Sequence, residues 1–261
     1  MSIITLTTDF GADSPYAAAM KGAILSINPE ATIVDLTHSV HAQNIREGAV
    51  ILYDIARQFP DDTIHIAVID PGVGTDREIV AARIDRWTFI APDNGLLSLI
   101  TSETSPTRIV RLRNDAYWKK PVSATFHGRD IMAPVAAHLS LGVSLDELGP
   151  TTETLHELEW PKAVDQENRV HGIVREIDSF GNLVTNITSD MLGNRPTDHR
   201  ACIICEIYET WGIFHAYGDQ PRGTLIALVG SNGFLELAIV GESAAERLGV
   251  RTGTSVTVAW E

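Results

Sequence analysis

The chain is 261 residues long, 44% hydrophobic and 21% charged, which is the balance of an ordinary folded globular protein. That excludes a disordered, collagen-like or disulfide-scaffold chain, and at about 150 residues per domain the length allows one large domain or two modest ones. Lys and Arg number 20 against 34 Asp and Glu, a net charge of −14 that opposes sequence-independent nucleic-acid binding. No apolar run reaches the ~18 residues of a membrane span, and no signal peptide opens the sequence, so a cytoplasmic protein with no membrane partner is expected.

The first half alternates strand and helix signals. Residues 2–8 read as a strand, and Asp13-Ser14 with Pro15 opens a helix running to about Ile27. A second strand is expected over 32–36, and Asn44 caps a helix over 45–59. The run 63–69 is nearly continuous apolar residues, as in a buried parallel sheet. Further strands are expected at 79–84, 87–91 and 108–112, with a helix at about 129–141. Residues 143–165 read as a polar, irregular linker. Beyond them short strands dominate, at 168–177, 183–187, 201–208, 212–216, 224–229, 234–240 and 254–260, with one helix at 242–248. The expected fold is an α/β N-terminal domain over 1–160, linker included, with a central mostly parallel sheet and helices on both faces. A smaller all-β, barrel-like C-terminal domain follows over 161–261.

The polar residues gather at strand ends, where α/β sheets bind ligands. Asp9 follows the first strand in Thr8-Asp9-Phe10-Gly11, suited either to a vicinal diol or to a helix-capping turn. Asp70 follows the apolar run in Asp70-Pro71-Gly72-Val73-Gly74, and Arg77 can fold back beside it. The segment lacks the Lys-Ser/Thr ending of a Walker loop. His127 stands before a helix in Thr125-Phe126-His127-Gly128-Arg129-Asp130. Two polar turns follow, Asp178-Ser179-Phe180-Gly181-Asn182 and Gly230-Ser231-Asn232-Gly233. His38 and His41 have no third ligand in register, so no metal is expected. Cys202 and Cys205, three apart on one strand, suit neither a disulfide nor a shared metal.

Taken together and in this order, these segments, with Asp35-Leu36-Thr37-His38, resemble the S-adenosyl-L-methionine (SAM) hydroxide adenosyltransferases, relatives of the fluorinase and chlorinase enzymes. The resemblance covers essentially the whole chain. It implies hydrolysis of SAM to adenosine and methionine without a cofactor, in a homotrimer whose active sites lie between subunits. It further implies that Asp9 holds the ribose hydroxyls and that Asp70, Arg77 and His127 handle the nucleophilic water. Asp178 and Ser231 match groups that bind the methionine ammonium and carboxylate, and Tyr16 lies where the fluorinase has a serine near that ammonium. Phe180 and Asn182 match positions near the methionine and adenine portions, and Phe214 is an expected adenine neighbour.

The departures from the halogenases also carry information. Where the fluorinase has tyrosine, threonine, tyrosine, serine and tryptophan, this chain has Asp70, Val73, His127, Gly128 and Gln43. The two hydroxyls that help hold halide are missing, and a carboxylate at position 70 repels an anion. A hydrolase is therefore expected. The competing readings are a SAM-dependent halogenase forming 5′-halo-5′-deoxyadenosine, and a non-catalytic sensor of SAM or adenosine.

Overall fold

The computed structural model describes residues 2–261, which form two compact units, the first ending at Glu159 and the second spanning Trp160–Glu261. The first unit contains β1 (Ile3–Thr8), α1 (Pro15–Leu25), β2 (Thr32–Thr37), α2 (Ile45–Ala56), β3 (Ile64–Val68), β4 (Ile79–Ile84) and β5 (Trp87–Pro92). After these come α3 (Ser98–Thr101), β6 (Pro106–Arg111) and α4 (Ala133–Ser140). Its six strands lie in the order β2-β1-β3-β5-β4-β6. Strands β1, β2, β3 and β5 are mutually parallel where they pair, and β4 is antiparallel to both β5 and β6.

Alternation along the central strands sends side chains to both faces. Ile4, Leu6, Ile66 and Val68 pack with Met20 and Ile24 of α1 and with Val135 and Ala136 of α4. On the other face α2 presses so close that a Cβ at Gly48 would stand 2.8 Å from Ile69 Cδ1. The two expected caps are present: Ser14 Oγ accepts the Tyr16 N–H, and Asn44 Oδ1 accepts that of Glu47. Helix α2 stops at Ala56, earlier than expected, because Phe59 turns out of it and its carbonyl accepts Trp87 Nε1–H at 3.0 Å. The expected linker is partly ordered. Ser144 caps a short turn over Leu145–Glu147, and Thr151 bridges Val110, covering part of the β6 edge.

The second unit contains β7 (Val164–Gln166), β8 (Arg169–Ile177), β9 (Leu183–Thr188), α5 (Ser189–Leu192), β10 (Ala201–Cys205), β11 (Tyr208–Trp211) and β12 (Ile213–Phe214). These are followed by β13 (Leu225–Val229), β14 (Phe234–Ile239), α6 (Ala244–Leu248) and β15 (Ser255–Trp260). The strands run β11-β10-β15-β8-β9-β14-β13-β12, with β7 beside β8. Thr210 Oγ1 of β11 donates to the Leu225 carbonyl of β13 at 2.8 Å, drawing the two ends of the sheet into a nearly closed barrel. The strand expected over 201–208 is broken by a tight hairpin in which Glu206 takes φ +56° and Cys205 faces Tyr208. No Gly or Asn marks that turn, which is why the sequence reads through it. Both cysteines are buried free thiols. Among the described residues no helix is long and apolar enough to cross a membrane.

The β3 core carries one ionisable misfit. His65 is fully buried, stacked on Phe89 and edge-on to Phe59, with its Nδ1 bonded to Thr5 Oγ1 at 2.7 Å. Its Nε2 has no hydrogen-bond partner, and burial lowers its pKa to about 4. The unfolded chain therefore binds a proton near pH 6.5 that the folded chain refuses until about pH 4. Stability is fully present above pH 6.5 and is lost as pH falls toward 4, by up to about 3 kcal/mol. His65→Phe should flatten this part of the pH dependence in urea unfolding between pH 7 and pH 4.5; an identical slope in variant and wild type would show that His65 is not its source.

Candidate active site

The site in the first unit is built at the carboxyl ends of β1 and β3. Asp70 stands two residues beyond β3, and Arg77 returns over the intervening glycine turn to grip it. Arg77 Nε donates to both carboxylate oxygens at 2.9 and 3.0 Å, and its Nη2 donates to Oδ2 as well. The two side chains are only 5% and 11% exposed, so each charge depends on the other. The turn's glycines serve this fold-back. A Cβ at Gly72 would press on Arg77 Cγ at 3.2 Å, and Gly74, at φ +80°, lies against the Ala124 carbonyl too closely for any side chain. The glycines thus admit neighbouring protein atoms, which is a different use from cradling a phosphate.

The same contact brings the 123–128 segment alongside. Arg77 Nη2 donates to His127 Nδ1 at 2.9 Å. Since a guanidinium has only donors, His127 must accept there, so the neutral ring carries its proton on Nε2. Burial and the Arg77 charge lower the His127 pKa, outweighing the opposite pull of Asp70 and Asp130. His127 is followed by a π-helical turn, Gly128–Met132, that leads into α4. Asp130 within it is fully buried. It accepts two bonds from Arg129 and one from Ser123 N–H, which closes the loop on itself. Burial alone would raise the Asp130 carboxyl, but those bonds, with the charges of Arg129 and Lys119, hold it below its ordinary value.

Asp9, just beyond β1, accepts the Gln43 N–H at 2.8 Å on Oδ2. The neighbouring backbone is tied by Gly11 N–H to the His38 carbonyl at 2.8 Å, and His38 Nδ1 bonds Thr8 Oγ1. His38 Nε2 lies 3.1 Å from Asp35, which also pairs with Lys21. Burial would raise the Asp35 carboxyl, but its bonds to Lys21 and His38 bring it down. The Asp35–His38 motif is therefore a brace for the Asp9 loop. His41, mostly exposed, pairs with Glu47, so the two histidines have separate partners.

Asp9, Gln43, Asp70, Val73, Phe126, His127 and Gly128 line one cavity of about 220 Å³. Arg77 does not line it and reaches it only through Asp70 and His127. Tyr16 sits at its aromatic side, edge-on to Phe10 at 5.6 Å and to Phe126 at 5.1 Å. Gly128 is tightly enclosed, because a Cβ there would meet Met20 Sδ at 3.3 Å and Val68 at 3.4 Å.

In the second unit Asp178, Phe180 and Asn182 share one turn. Asp178 Oδ1 accepts the Phe180 and Asn182 N–H groups at 2.9 and 2.8 Å, and Oδ2 accepts Asn182 Nδ2–H at 2.9 Å. Phe180 is left 77% exposed at the tip. Ser231 lies in the β13–β14 turn. Leu237 pairs with Leu183 and Phe234 with Thr188, so the Asp178 and Ser231 turns flank opposite ends of β9. Phe214 packs half-buried against Ile226 and Leu228. Between the turns stands Glu236, which sequence reading passes over. It is buried, accepts the Tyr217 Oη–H on Oε1, and lies so near Gly230 that a Cβ there would come within 2.7 Å of Oε2. Burial and the Asp178 charge raise its pKa, against the Tyr217 bond. The available signal was an acid in the apolar strand Phe234-Leu235-Glu236-Leu237-Ala238.

The profile of the SAM hydroxide adenosyltransferase N-terminal domain matches residues 4–149, and that of the C-terminal domain matches residues 172–257. The (R)-S-adenosyl-L-methionine hydrolase of Thermus thermophilus is 35% identical, with 98% of this chain and 99% of that protein covered. The enzyme of the same name from Methanocaldococcus jannaschii is 34% identical over 96% of this chain and 93% of its own. A fluorinase of Actinopolyspora mzabensis is more distant, at 27% over 98% and 96%. The crystal structure of an uncharacterized conserved protein from Thermotoga maritima superposes with a TM-score of 0.92 at 34% identity, covering 99% of this chain and all of that one. With both domain profiles matched in order by a chain whose relatives align over nearly its whole length, this protein belongs to the SAM hydroxide adenosyltransferase family.

Proposed function

We propose that the chain cleaves SAM with water at C5′, releasing adenosine and L-methionine. The observation that carries this reading is the Asp70–Arg77–His127 group, which places a buried, oriented carboxylate and an imidazole on the cavity that Asp9 also lines. Its support from kinship is the hydrolase activity named for relatives at 34–35% identity.

The leaving group determines what the protein must supply. A sulfonium departs as neutral methionine, so no acid is required. The attacking oxygen must lie in line with the C5′–S bond at about 3–3.5 Å, which is a matter of positioning. Asp70 is the acceptor among the polar groups around the water, because His127 Nδ1 is already occupied by Arg77. In this reading the Asp70 carboxylate takes the water proton as the C5′–O bond forms and the C5′–S bond breaks. The His127 Nε2–H donates to the same oxygen and fixes its direction. Arg77 is a positioning residue, holding both partners from behind. Asp9 accepts the ribose hydroxyls.

Halide is disfavoured on electrostatic grounds. The Asp70 charge repels it, and neither Val73 nor Gly128 offers a hydroxyl to hold it. On the strength of the family resemblance, the residues of the second unit complete the site. Asp178, Phe180, Asn182, Phe214 and Ser231 then serve the methionine and adenine ends, with Tyr16 near the ammonium, in a cytoplasmic homotrimer with sites between subunits.

Purified protein incubated with SAM should yield adenosine and methionine in equal amounts by chromatography, whether or not chloride or fluoride is present. Asp70→Ala should lower turnover at least about 100-fold. A halide-dependent 5′-halo product would support the halogenase, and bound but intact SAM a sensor. Neutral His127 is the working form, and its pKa lies below the ordinary 6.5. The rate should therefore be flat through pH 7 and fall as pH drops through a value below 6.5, and His127→Gln should remove that acid limb. A limb that survives in the variant would assign it to another group.

A further inference from the structure

Gln43 stands out within the cavity wall. Its backbone takes φ +64°, a left-handed conformation that strains a residue with a Cβ. The strain is held in place from one side by the first turn of α2. There Glu47 accepts His41 N–H at 3.1 Å, His41 Nδ1–H, and Asn44 Nδ2–H at 3.0 Å, while Asn44 N–H donates to the His41 carbonyl. From the other side Asp9 receives the Gln43 N–H at 2.8 Å. Asp9 shows no other hydrogen bond among the described residues, so this N–H alone sets the plane of its carboxylate.

We infer that Gln43 is a positioning residue for Asp9: its strained backbone aims one N–H at Oδ2 and so turns the carboxylate toward the cavity, where it meets a substrate diol. The inference rests on the functional reading above, which makes Asp9 the ribose acceptor. A carboxylate oxygen has room for a second bond beside the Gln43 N–H, so both oxygens remain able to accept hydroxyls. Without that N–H the side chain rotates freely, and the diol must pay to order it.

The test uses the full-length protein and adenosine as the probe, by calorimetry, with thermal melting alongside. Gln43→Gly tolerates the same φ and keeps the N–H. It should therefore bind adenosine at least about fivefold more tightly than the Val variant does. Gln43→Val cannot hold the left-handed conformation, so its N–H leaves Asp9. It should bind at least about tenfold more weakly and raise KM for SAM more than it lowers kcat. In an Asp9→Ala background the Val substitution should have no further effect on adenosine affinity, which a merely structural defect would not produce. Gln43→Val binding as wild type overturns the inference, as does a loss that persists undiminished with Asp9→Ala. Gln43→Gly binding tenfold more weakly with an unchanged melting temperature overturns it too, even where the Val variant fails to fold. Wild-type protein that turns over no SAM overturns the hydrolase reading itself and this inference with it.

Discussion

A carboxylate at the end of a buried apolar strand is tolerable only beside a counter-charge, and at Asp70 that charge is the Arg77 guanidinium. The rest of the site depends on this pair. Arg77 folds back within seven residues over a turn in which glycine is required at 74, and because Gly74 lies on Ala124, the His127 segment is drawn in. Because Arg77 then donates to His127 Nδ1, the imidazole is neutral with its remaining proton on Nε2. One ion pair thereby settles the shape of two loops, a tautomer, and the assignment of acceptor and donor around the nucleophile.

Much of this was legible in the sequence because it rests on local chemistry. The apolar run over 63–69 announced a buried parallel strand, Ser14 and Asn44 announced their helices, and Asp9 and Asp70 stood where strands end. The resemblance to the family supplied roles that spacing alone left open. What was not legible depended on tertiary contacts. The hairpin at Glu206 has no turn residue to mark it, and its second strand, β11, is held across the barrel by the Thr210 bond to the Leu225 carbonyl. The π turn after His127 has no sequence signature, and its buried Asp130 is tied back to Ser123 N–H, seven residues away. The glycines of the 70–77 turn were visible, but their purpose was not, because the atoms they make room for come from Arg77 and Ala124.

Gln43 and Glu236, like Glu206 and His65, run against local rules. Gln43 occupies backbone space that suits glycine, and Glu236 places an acid inside an apolar strand. Natural sequences tolerate such local conflicts where function compensates. At Gln43 the compensation proposed is the grip on Asp9. Glu236 lies within electrostatic reach of Asp178, in the part of the chain that the resemblance assigns to the methionine end.

The central claim is that water held at Asp70 and His127 attacks C5′ directly. Turnover of SAM in H₂¹⁸O, followed by mass spectrometry of both products, tests it most directly. The account predicts one ¹⁸O in adenosine, at the 5′ oxygen, and none in methionine. Unlabelled adenosine, or label in methionine, would contradict it.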